Sequence, residues 1–209
     1  MLAEGEEISA EIARLLARIP AQTPRYRLAA KLFKALTELA APTDVLAEIP
    51  VSEPQAGVYR TLVLLDRIQD PGNAGAILRT AAAAGVEAVH ASHGCADLWS
   101  PKVLRAGMGA HFHLALWEHA DLAAVSAGFE GTICCTATKG IPIYAADLRG
   151  PTAWVFGNEG GGVAPALESL CGRRLTIPTS GRVESLNVAA AAAVCLFEQR
   201  RQRAATWVS

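Results

Sequence analysis

Features typical of nucleic-acid-binding, membrane and secreted proteins are missing from this chain of 209 residues. Lysine and arginine total 19 against 20 aspartate and glutamate, a net charge of −1, which excludes attachment to nucleic acid by bulk charge but not a local basic patch. No apolar run approaches the roughly 18–20 residues of a transmembrane helix, and the acidic start is unlike a signal peptide. We therefore expect a cytoplasmic protein without a membrane partner.

Metal-binding patterns are also missing. The five cysteines form no C-x-x-C pair and are odd in number, and His111 and His113 have no partner at a ligand spacing. The sequence therefore predicts no metal site and reduced, mostly buried thiols. Hydrophobic residues make up 51% of the chain and charged residues 19%, which is enough apolar material for a buried core.

Residues 1–57 differ in pattern from the rest of the chain. Apolar side chains at helical spacing predict two amphipathic helices, over 6–19 and about 28–39, each followed by proline. A short apolar stretch at 45–49 predicts one weak strand, and residues 52–57 are typical of a linker. We therefore expect an N-terminal helical segment, 1–57, followed by a second domain, 58–209.

From residue 58 onward, short apolar runs alternate with helical stretches. Strands are predicted at 61–65, 86–91, 112–116, 132–136, 153–156 and 175–177, and helices at 74–84, 101–107, 119–127, 164–170 and 188–203. This alternation is typical of an α/β domain with a mostly parallel sheet. Because such sheets bind ligands beyond the carboxyl ends of their strands, the loops after Leu65, Phe156 and Ile177 form the candidate site.

The first of these loops leads into a helix. Pro71-Gly72 predicts a turn, Asn73 an N-cap, and Gly85 the end of the helix. Gly75 inside the helix costs about 1 kcal/mol relative to alanine, which indicates that another group approaches its backbone closely. Arg79 follows Asn73 by about 9 Å along the helix, so both can reach one anion such as a phosphate. The alternative is a capped surface helix whose arginine forms a salt bridge.

The second loop reads Gly157-Asn158-Glu159-Gly160 between a strand and a helix. It is neither a dinucleotide-binding fingerprint nor a Walker A sequence, since no Gly-Lys-Ser/Thr follows. Glu159 is suited to a positively charged ligand. A flexible loop with exposed polar side chains is the alternative.

The third loop runs from Ile177 to an alanine-rich helix that starts at Val188. Glu184, Ser185 and Asn187 gather before that helix, although only one of them can be its N-cap. The surplus suggests contacts to a ligand or substrate, and redundant capping is the alternative. Residues 171–203 carry six basic and two acidic side chains, which predicts either an RNA-facing patch or a helix end favoured by the helix dipole.

Together the three loops resemble the motifs of the SpoU/TrmH family of RNA ribose 2′-O-methyltransferases, within the SPOUT class. The N-x-G-x-x-x-R motif matches Asn73, Gly75 and Arg79, the G-N-E-G motif matches 157–160, and I-P followed by E-S-L-N-V matches 177–178 and 184–188. Residues 100–110 are similar to the family's helix between its first two motifs. The resemblance covers about residues 60–203, and three motifs in order are specific where any single one is weak.

The resemblance implies a SPOUT-type α/β fold with a mostly parallel sheet and a C-terminal trefoil knot. It also implies S-adenosylmethionine (AdoMet) as cofactor and a homodimer whose active site is completed across the interface. Longer members of the family carry an L30-like RNA-binding domain in front, and residues 31–47 are similar only to its last part. Because about 50 residues with two helices are too few for a complete α/β module, we interpret 1–57 either as a shortened remnant of that domain or as a helical extension.

The resemblance also assigns roles to individual residues. Catalysis or substrate positioning is expected at Asn73, Arg79, Glu159, Ser185 and Asn187. Cofactor binding is expected at Gly157, Asn158, Gly160, Ile177, Pro178 and Leu186. Independently of the resemblance, RNA contacts are expected at Arg173, Arg174 and Arg182, because these basic residues flank the third motif. Because arginine is a poor base, we expect Arg79 to act as a cation that holds a phosphate and stabilises the developing alkoxide, with a role as base left open.

The sequence therefore predicts AdoMet-dependent 2′-O-methylation of structured RNA, with rRNA slightly favoured over tRNA. A non-catalytic RNA-binding relative that assists ribosome assembly is the alternative, and the complete set of Arg79, Glu159 and Asn187 argues against it. A different nucleotide-using α/β enzyme is a third possibility, which lacks support because no Walker A or Rossmann fingerprint is present. For the homodimer, the expected contacts are the apolar residues of the last helix, Val188, Val194, Leu196 and Phe197.

Overall fold

The structure, a computed structural model, describes residues 1–3, 8–37, 45–51 and 53–204, and the chain divides into two compact units, 1–52 and 53–209. The N-terminal unit contains β1 (Leu2–Ala3), α1 (Ala10–Arg18), β2 (Arg27–Leu28) and α2 (Ala30–Ala35). β1 and β2 pair in parallel, and Leu2 forms an antiparallel bridge with Val45.

Both predicted N-terminal helices are present, and both are shorter than their apolar patterns. Arg25 closes α1 by donating hydrogen bonds from Nη2 to the carbonyls of Leu16 and Ile19, each at 3.1 Å. Of the apolar stripe on α1, Ile12 is buried whereas Leu15 is 46% exposed. The predicted end of the second helix lies outside the described residues.

The C-terminal unit is built on one parallel sheet. Its strands are β3 (Thr61–Asp66), β4 (Ala88–Ala91), β5 (Ala115–Trp117), β6 (Thr132–Pro142), β7 (Thr152–Gly157) and β8 (Arg173–Thr176). All pairings are parallel, in the order β5-β4-β3-β7-β6-β8. The predicted mostly parallel α/β fold is therefore confirmed. Its helices are α3 (Pro71–Ala84), α4 (Pro101–Gly107), α5 (Leu122–Ala127), α6 (Pro165–Glu168) and α7 (Val188–Ala204).

Successive side chains of β3 enter two different cores. Val63 and Leu65 lie in the larger core, which also contains residues of α3, α4 and α7, whereas Leu62 and Leu64 lie in the smaller core with residues of α5 and α6. A sheet covered on both faces needs apolar side chains at every position, so these strands appear in the sequence as unbroken apolar runs. This is why their positions could be predicted.

The weak strand predicted at 45–49 is not formed, because only an isolated bridge at Val45 is present there. Two predictions about the C-terminal unit are also wrong. The strand predicted at 112–116 begins only at Ala115, because Ala110–Phe112 form a 3₁₀ helix. Leu196, expected to face a second copy of the chain, is 1% exposed and belongs to the larger core of its own chain. Phe197, the next residue on α7, is 47% exposed and keeps the position expected of a dimer contact.

Candidate functional site

The first two candidate loops leave the carboxyl ends of neighbouring strands. β3 and β7 pair along their whole length, up to Asp66 opposite Gly157, and the sheet extends outward from this pair in both directions. A central pair from which the strand order runs both ways leaves a crevice at the carboxyl edge, where parallel sheets bind ligands. The first and second motifs therefore lie side by side.

Asp70 rather than Asn73 caps α3. Its Oδ1 accepts the backbone N–H of Asn73 at 2.7 Å, and Pro71 takes the first helical position, where a missing N–H costs nothing. The predictions of a turn at Pro71–Gly72 and of Asn73 as N-cap are therefore wrong. With the cap three residues earlier, the Asn73 amide is free to contact the other loops. The predicted helix end at Gly85 is confirmed, with φ at 81°.

Gly75 lies where α3 packs against α4. A Cβ at this position would lie 2.4 Å from the Cβ of Ala106 and 2.7 Å from the carbonyl oxygen of Val103, closer than packed atoms approach each other. The predicted close approach to the Gly75 backbone is therefore confirmed. The approaching group is α4 itself, so this glycine fixes the helix that carries the first motif.

Asn158 organises the second loop. Its Oδ1 accepts the backbone N–H groups of Gly160 and Gly161, both at 3.0 Å, and its Nδ2 donates to the carbonyl of Arg67 at 2.9 Å. The preceding Gly157 has no room for a side chain, since a Cβ would lie 2.2 Å from the backbone nitrogen of Val163. Both ends of the Asn158 amide thus shape the loop and fasten it to the end of β3.

One chain of side-chain hydrogen bonds joins the three motifs. Asn187 Nδ2 donates to Asn73 Oδ1 at 2.9 Å, and Asn73 Nδ2 donates to Glu159 Oε1 at 3.0 Å. Asn73 is the central member, because its oxygen serves the third loop and its nitrogen serves the second. We call Asn73, Glu159 and Asn187 the relay.

The relay keeps Glu159 charged. Partial burial opposes ionisation of this carboxyl, but the Asn73 amide and backbone N–H groups of Glu159, Asp70 and Gln69 favour the charged form more strongly. The pKa of Glu159 therefore lies below its ordinary value. A carboxylate at this edge of the sheet suits a positively charged ligand.

Asn187 is also the N-cap of α7. Its Oδ1 accepts the backbone N–H groups of Ala189 at 2.9 Å and Ala190 at 3.2 Å. Glu184 and Ser185 are exposed, and neither forms a hydrogen bond within the described ranges of the chain. Capping is thus complete without these two residues, which leaves their side chains available to a ligand.

The Arg79 side chain has no charged partner among the residues that the structure describes. It follows Asn73 by six residues on α3, is exposed, and has no hydrogen bond or ion pair with any residue that the structure describes. The surface salt bridge considered as an alternative is therefore not found in this part of the chain. All five N–H donors of the guanidinium remain available to an anionic group.

The residues expected at the cofactor line the second and third loops. Ile177 is partly buried against the larger core, whereas Gly160, Pro178 and Leu186 are exposed. Across 178–186 no backbone–backbone hydrogen bond is found to other described residues. Of its backbone groups, the Gly181 N–H donates to Thr179 Oγ1 at 3.4 Å. The other N–H and C=O groups of this stretch have no partner among the described residues and lie beside apolar side chains, a combination that suits the edge and faces of an adenine ring.

The three arginines expected at RNA do not lie together. Arg173 and Arg174 begin β8 and so lie toward the amino edge of the sheet, where Arg173 donates to the carbonyl of Asp147 and Arg174 pairs with Glu168 at 3.4 Å. Arg182 is exposed in the third loop, beyond the carboxyl end of the same strand. Only Arg182 is thus on the edge that holds the relay.

Nothing in the motifs points to Asp66, the buried acid that ends β3. It is 5% exposed, and its Oδ2 accepts the backbone N–H of Ala164 at 2.7 Å. The Arg67 guanidinium donates to both carboxylate oxygens, at 3.0 and 3.2 Å. Asp66 thereby ties the start of the first loop to the end of the second. The available signal was a single acid at the end of an unbroken apolar strand.

The described ranges contain neither a cluster of metal ligands nor a membrane-spanning helix. Within them, no group of three or more His, Cys, Asp and Glu side chains is placed to hold a metal ion. Over the same ranges, no helix combines the length and the apolar character needed to cross a bilayer.

Comparison with known proteins identifies the family. The SpoU rRNA Methylase family matches residues 60–197. The 23S rRNA (guanosine(2553)-2′-O)-methyltransferase RlmP of Bacillus subtilis is 35% identical over 181 residues, which are 84% of this chain and 72% of that protein. The uncharacterized tRNA/rRNA methyltransferase slr1673 of Synechocystis is 38% identical over 152 residues, and the chain spans only 53% of its length.

Solved structures agree with the sequence match. The crystal structure of the SpoU methyltransferase AviRb from Streptomyces viridochromogenes, in complex with AdoMet, has a TM-score of 0.74 to this chain at 30% identity and covers 98% of this chain and 82% of its own. The matched residues contain all three motif loops and the relay that joins them. This chain therefore belongs to the SpoU rRNA Methylase family.

Proposed function

We propose that this chain transfers a methyl group from AdoMet to a ribose 2′-hydroxyl of structured RNA. The relay carries the proposal, because it unites side chains of all three family motifs at the edge where a parallel sheet binds ligands. The named activity of RlmP is 2′-O-methylation of a guanosine in 23S rRNA. We therefore favour rRNA over tRNA as the substrate of this chain.

The third loop is the proposed adenosine site. Ile177 and Leu186 offer apolar contacts to a ring. Apart from the Gly181 N–H, the backbone groups of 178–186 are unpaired within the described structure, and they provide the donors and acceptors that an adenine edge needs. The other residues proposed to contact the adenosine are Gly157, Gly160 and Pro178. When bound, AdoMet supplies a methyl group already activated by a sulfonium. The Glu159 carboxylate provides the opposite charge nearby.

Arg79 is the proposed group at the reacting hydroxyl. Its unpaired guanidinium can hold the phosphate beside the target ribose and stabilise the negative charge that develops as the 2′-oxygen loses its proton. Asn73, Glu159, Asn187 and Ser185 position the two substrates. Such positioning matters because a displacement at carbon needs the attacking oxygen aligned with the breaking bond, and alignment can lower a barrier by about 7–11 kcal/mol.

The functional unit is proposed to be a cytoplasmic homodimer that uses α7. The exposed Phe197 and the alanine-rich sequence of this helix support the proposal, because small side chains let a second backbone approach closely. The N-terminal segment, 1–57, is proposed to be the remnant of an L30-like substrate-binding domain.

Arg79→Ala tests the proposed function. The assay measures transfer of labelled methyl from AdoMet to unmodified 23S rRNA and tRNA transcripts, together with AdoMet affinity. We expect AdoMet affinity close to that of the wild type and a rate lower by at least about 100-fold, the typical cost of removing one group that stabilises developing charge. Arg105→Ala, an exposed arginine on α4, is the matched control and keeps its rate.

Each alternative gives a different result in the same experiment. A wild-type rate in the Arg79→Ala variant would contradict the assigned role. A wild-type chain that binds RNA but neither binds AdoMet nor transfers methyl would be the non-catalytic relative. A chain that binds ATP or NAD in preference to AdoMet would be a different nucleotide-using enzyme.

A further inference from the structure

Three exposed side chains extend the candidate site along the carboxyl edge of the sheet. Arg67 follows β3, His93 lies two residues after β4, and His119 lies two residues after β5. These strands are adjacent in the order β5-β4-β3, so the three residues lie at the same edge as the relay. We call Arg67, His93 and His119 the edge group. None of them belongs to the three motifs.

The two histidine rings of the edge group stack on each other. Their centroids are 4.8 Å apart and their planes differ by 24°. The Arg67 side chain passes the same turn, since a Cβ on Gly94 would lie 3.5 Å from Arg67 Cγ. The result is an exposed pair of aromatic rings, with the stem of the Arg67 side chain against the turn that carries one of them.

Backbone strain marks two members of the edge group. Arg67 has φ of 55° and His119 has φ of 54°, a left-handed conformation that residues other than glycine adopt at a cost. For Arg67 the surrounding hydrogen bonds hold this conformation, because its N–H donates to Ser92 Oγ at 3.0 Å and its carbonyl accepts from Asn158 Nδ2 at 2.9 Å. Strain maintained by neighbours in this way is common at functional sites.

The edge group is continuous with the second motif. The Asn158 amide that shapes that motif is bonded to the Arg67 carbonyl, and Ser92, which accepts the Arg67 N–H, directly precedes His93. The Arg67 guanidinium uses Nε and Nη2 on Asp66, which leaves Nη1 without a hydrogen bond to the described residues. A polymer that runs from the relay along this edge therefore meets two imidazole rings and a free N–H donor.

We propose that the edge group is a subsite for an RNA nucleotide near the one that is methylated, with the base stacked on the histidine pair and Nη1 of Arg67 donating to an acceptor of that nucleotide. This inference rests on the proposed function. Unpaired RNA bases are commonly bound by stacking on histidine and on the guanidinium plane of arginine. A metal ion does not fit as the ligand, because no third His, Cys, Asp or Glu completes a site among the described residues.

Charge also favours stacking as the mode of binding at this subsite. The chain has a net charge of −1, and the charge of Arg67 is paired with that of Asp66. The edge group therefore adds little electrostatic attraction, and its contribution to RNA affinity is expected to depend only weakly on salt. Neutralising Arg182, by contrast, is expected to reduce the slope of log affinity against log salt by about 1.

The test compares paired substitutions of the two histidines with a matched control. His93→Ala with His119→Ala removes the stacking surface, whereas His93→Phe with His119→Phe keeps two aromatic rings. His113→Ala is the control, because His113 is also exposed but lies at the amino end of β5, whereas His119 follows its carboxyl end. The probe is an unmodified 23S rRNA transcript, and the readouts are RNA affinity, AdoMet affinity, KM, kcat and the melting temperature.

We expect the alanine pair to weaken RNA binding and raise KM by about 5- to 100-fold, the usual effect of losing one base-stacking contact. The phenylalanine pair and His113→Ala are expected to stay within about 3-fold of the wild type, and AdoMet affinity is expected to be unchanged in all variants.

Each contrary outcome overturns a stated part of the inference. Unchanged RNA affinity in the alanine pair removes the subsite, and equal losses in the phenylalanine and alanine pairs remove stacking as its mechanism. A fall in AdoMet affinity and melting temperature along with RNA binding indicates a purely structural role and overturns the subsite as well. A wild-type chain that methylates neither rRNA nor tRNA refutes the proposed function first and the subsite with it, so the two failures are distinguishable.

Discussion

Asn73→Asp tests the relay at a single contact, because it replaces only the side-chain amide nitrogen of Asn73 with an oxygen. The bond from Asn187 survives, since its acceptor is the oxygen that both side chains share. The bond to Glu159 is lost, because the donor that lay 3.0 Å from Oε1 becomes a second carboxylate oxygen. The substitution thus replaces an attraction by a repulsion at one defined contact.

The expected magnitude follows from that distance. Two unit charges 3.0 Å apart repel by about 1.4 kcal/mol in water and by about 5.5 kcal/mol at an effective dielectric constant of about 20. Glu159 is exposed, so solvent screening keeps the repulsion near the lower value. Loss of a hydrogen bond to a charged group adds about 1.5 kcal/mol. We expect the free energy of unfolding at neutral pH to fall by roughly 2–3 kcal/mol.

The fall in the free energy of unfolding caused by Asn73→Asp should be larger at neutral pH than in acid. In the wild type the folded pKa of Glu159 lies below the ordinary value of 4.5, so its contribution to stability is present above that pH and is lost as the pH falls through the folded pKa. In the variant, two neighbouring carboxylates bind one proton more tightly, which raises one pKa of the pair. Protonation of one carboxyl group then relieves the repulsion. The difference in free energy of unfolding between the variant and the wild type is therefore largest at neutral pH and smaller in acid.

Urea unfolding of both proteins at about pH 7 and about pH 4 measures this difference. The control is the double variant with Glu159→Gln, whose amide can donate to the introduced carboxylate and should recover most of the lost stability. The assigned contact between Asn73 and Glu159 would be refuted if Asn73→Asp lost the same stability at both pH values. It would also be refuted if adding Glu159→Gln recovered none of that stability.

Three further experiments test packing in the C-terminal unit and the titration of a partly buried histidine. Gly75→Ala forces a methyl group to within 2.4 Å of Ala106 Cβ and should lower the free energy of unfolding by about 1–3 kcal/mol, whereas Gly150→Ala, with nothing within 4 Å, should change it little. Leu196→Ala should cost about 2–5 kcal/mol in calorimetry because Leu196 is a core residue, while Phe197→Ala should preserve stability and, if α7 is the dimer face, reduce the mass seen by light scattering. Burial lowers the pKa of His90 from 6.5 to about 4, so between these values the unfolded chain binds more protons and stability falls as the pH falls; His90→Phe should flatten that dependence in thermal melts.

The strands of the C-terminal sheet could be predicted from the sequence where both faces of the strand are buried, and poorly elsewhere. β3 and β7 are buried on both faces and therefore form unbroken apolar runs. The segment at 112–116 failed for the opposite reason: Phe112 is 71% exposed, while His111 is 4% exposed and bonded through Nε2 to the carbonyl of Leu98 at 2.7 Å. Hydropathy cannot identify a polar residue that is buried, such as His111, or an apolar one that is exposed, such as Phe112.

The motif residues could be found from the sequence, but their contacts could not. Asp70 and Asn73 are both good N-caps, three residues apart, and only the proline at the first helical position decides between them. Because Asp70 is the cap, the Asn73 amide is available to form the two hydrogen bonds of the relay. Asp66 carries no motif, because its role depends on a backbone N–H 98 positions away. The trefoil knot, the homodimer, the origin of residues 1–57 and the individual roles of the site residues stay predictions.

The two motif loops of β3 and β7 are held together at two levels with different exposure. The inner level is the bond from the Ala164 N–H to Asp66. Its acceptor is a buried carboxylate that water reaches poorly, so this contact is expected to persist throughout turnover. The outer level is the bond from Asn73 to Glu159, which is exposed, so water can take the place of either partner when this contact opens. Ligand groups can replace that partner equally well. The inner bond can therefore keep the loops in register while the outer one exchanges its protein partner for substrate, which explains why the polar groups of the motifs lie outside and the unassigned acid lies beneath them.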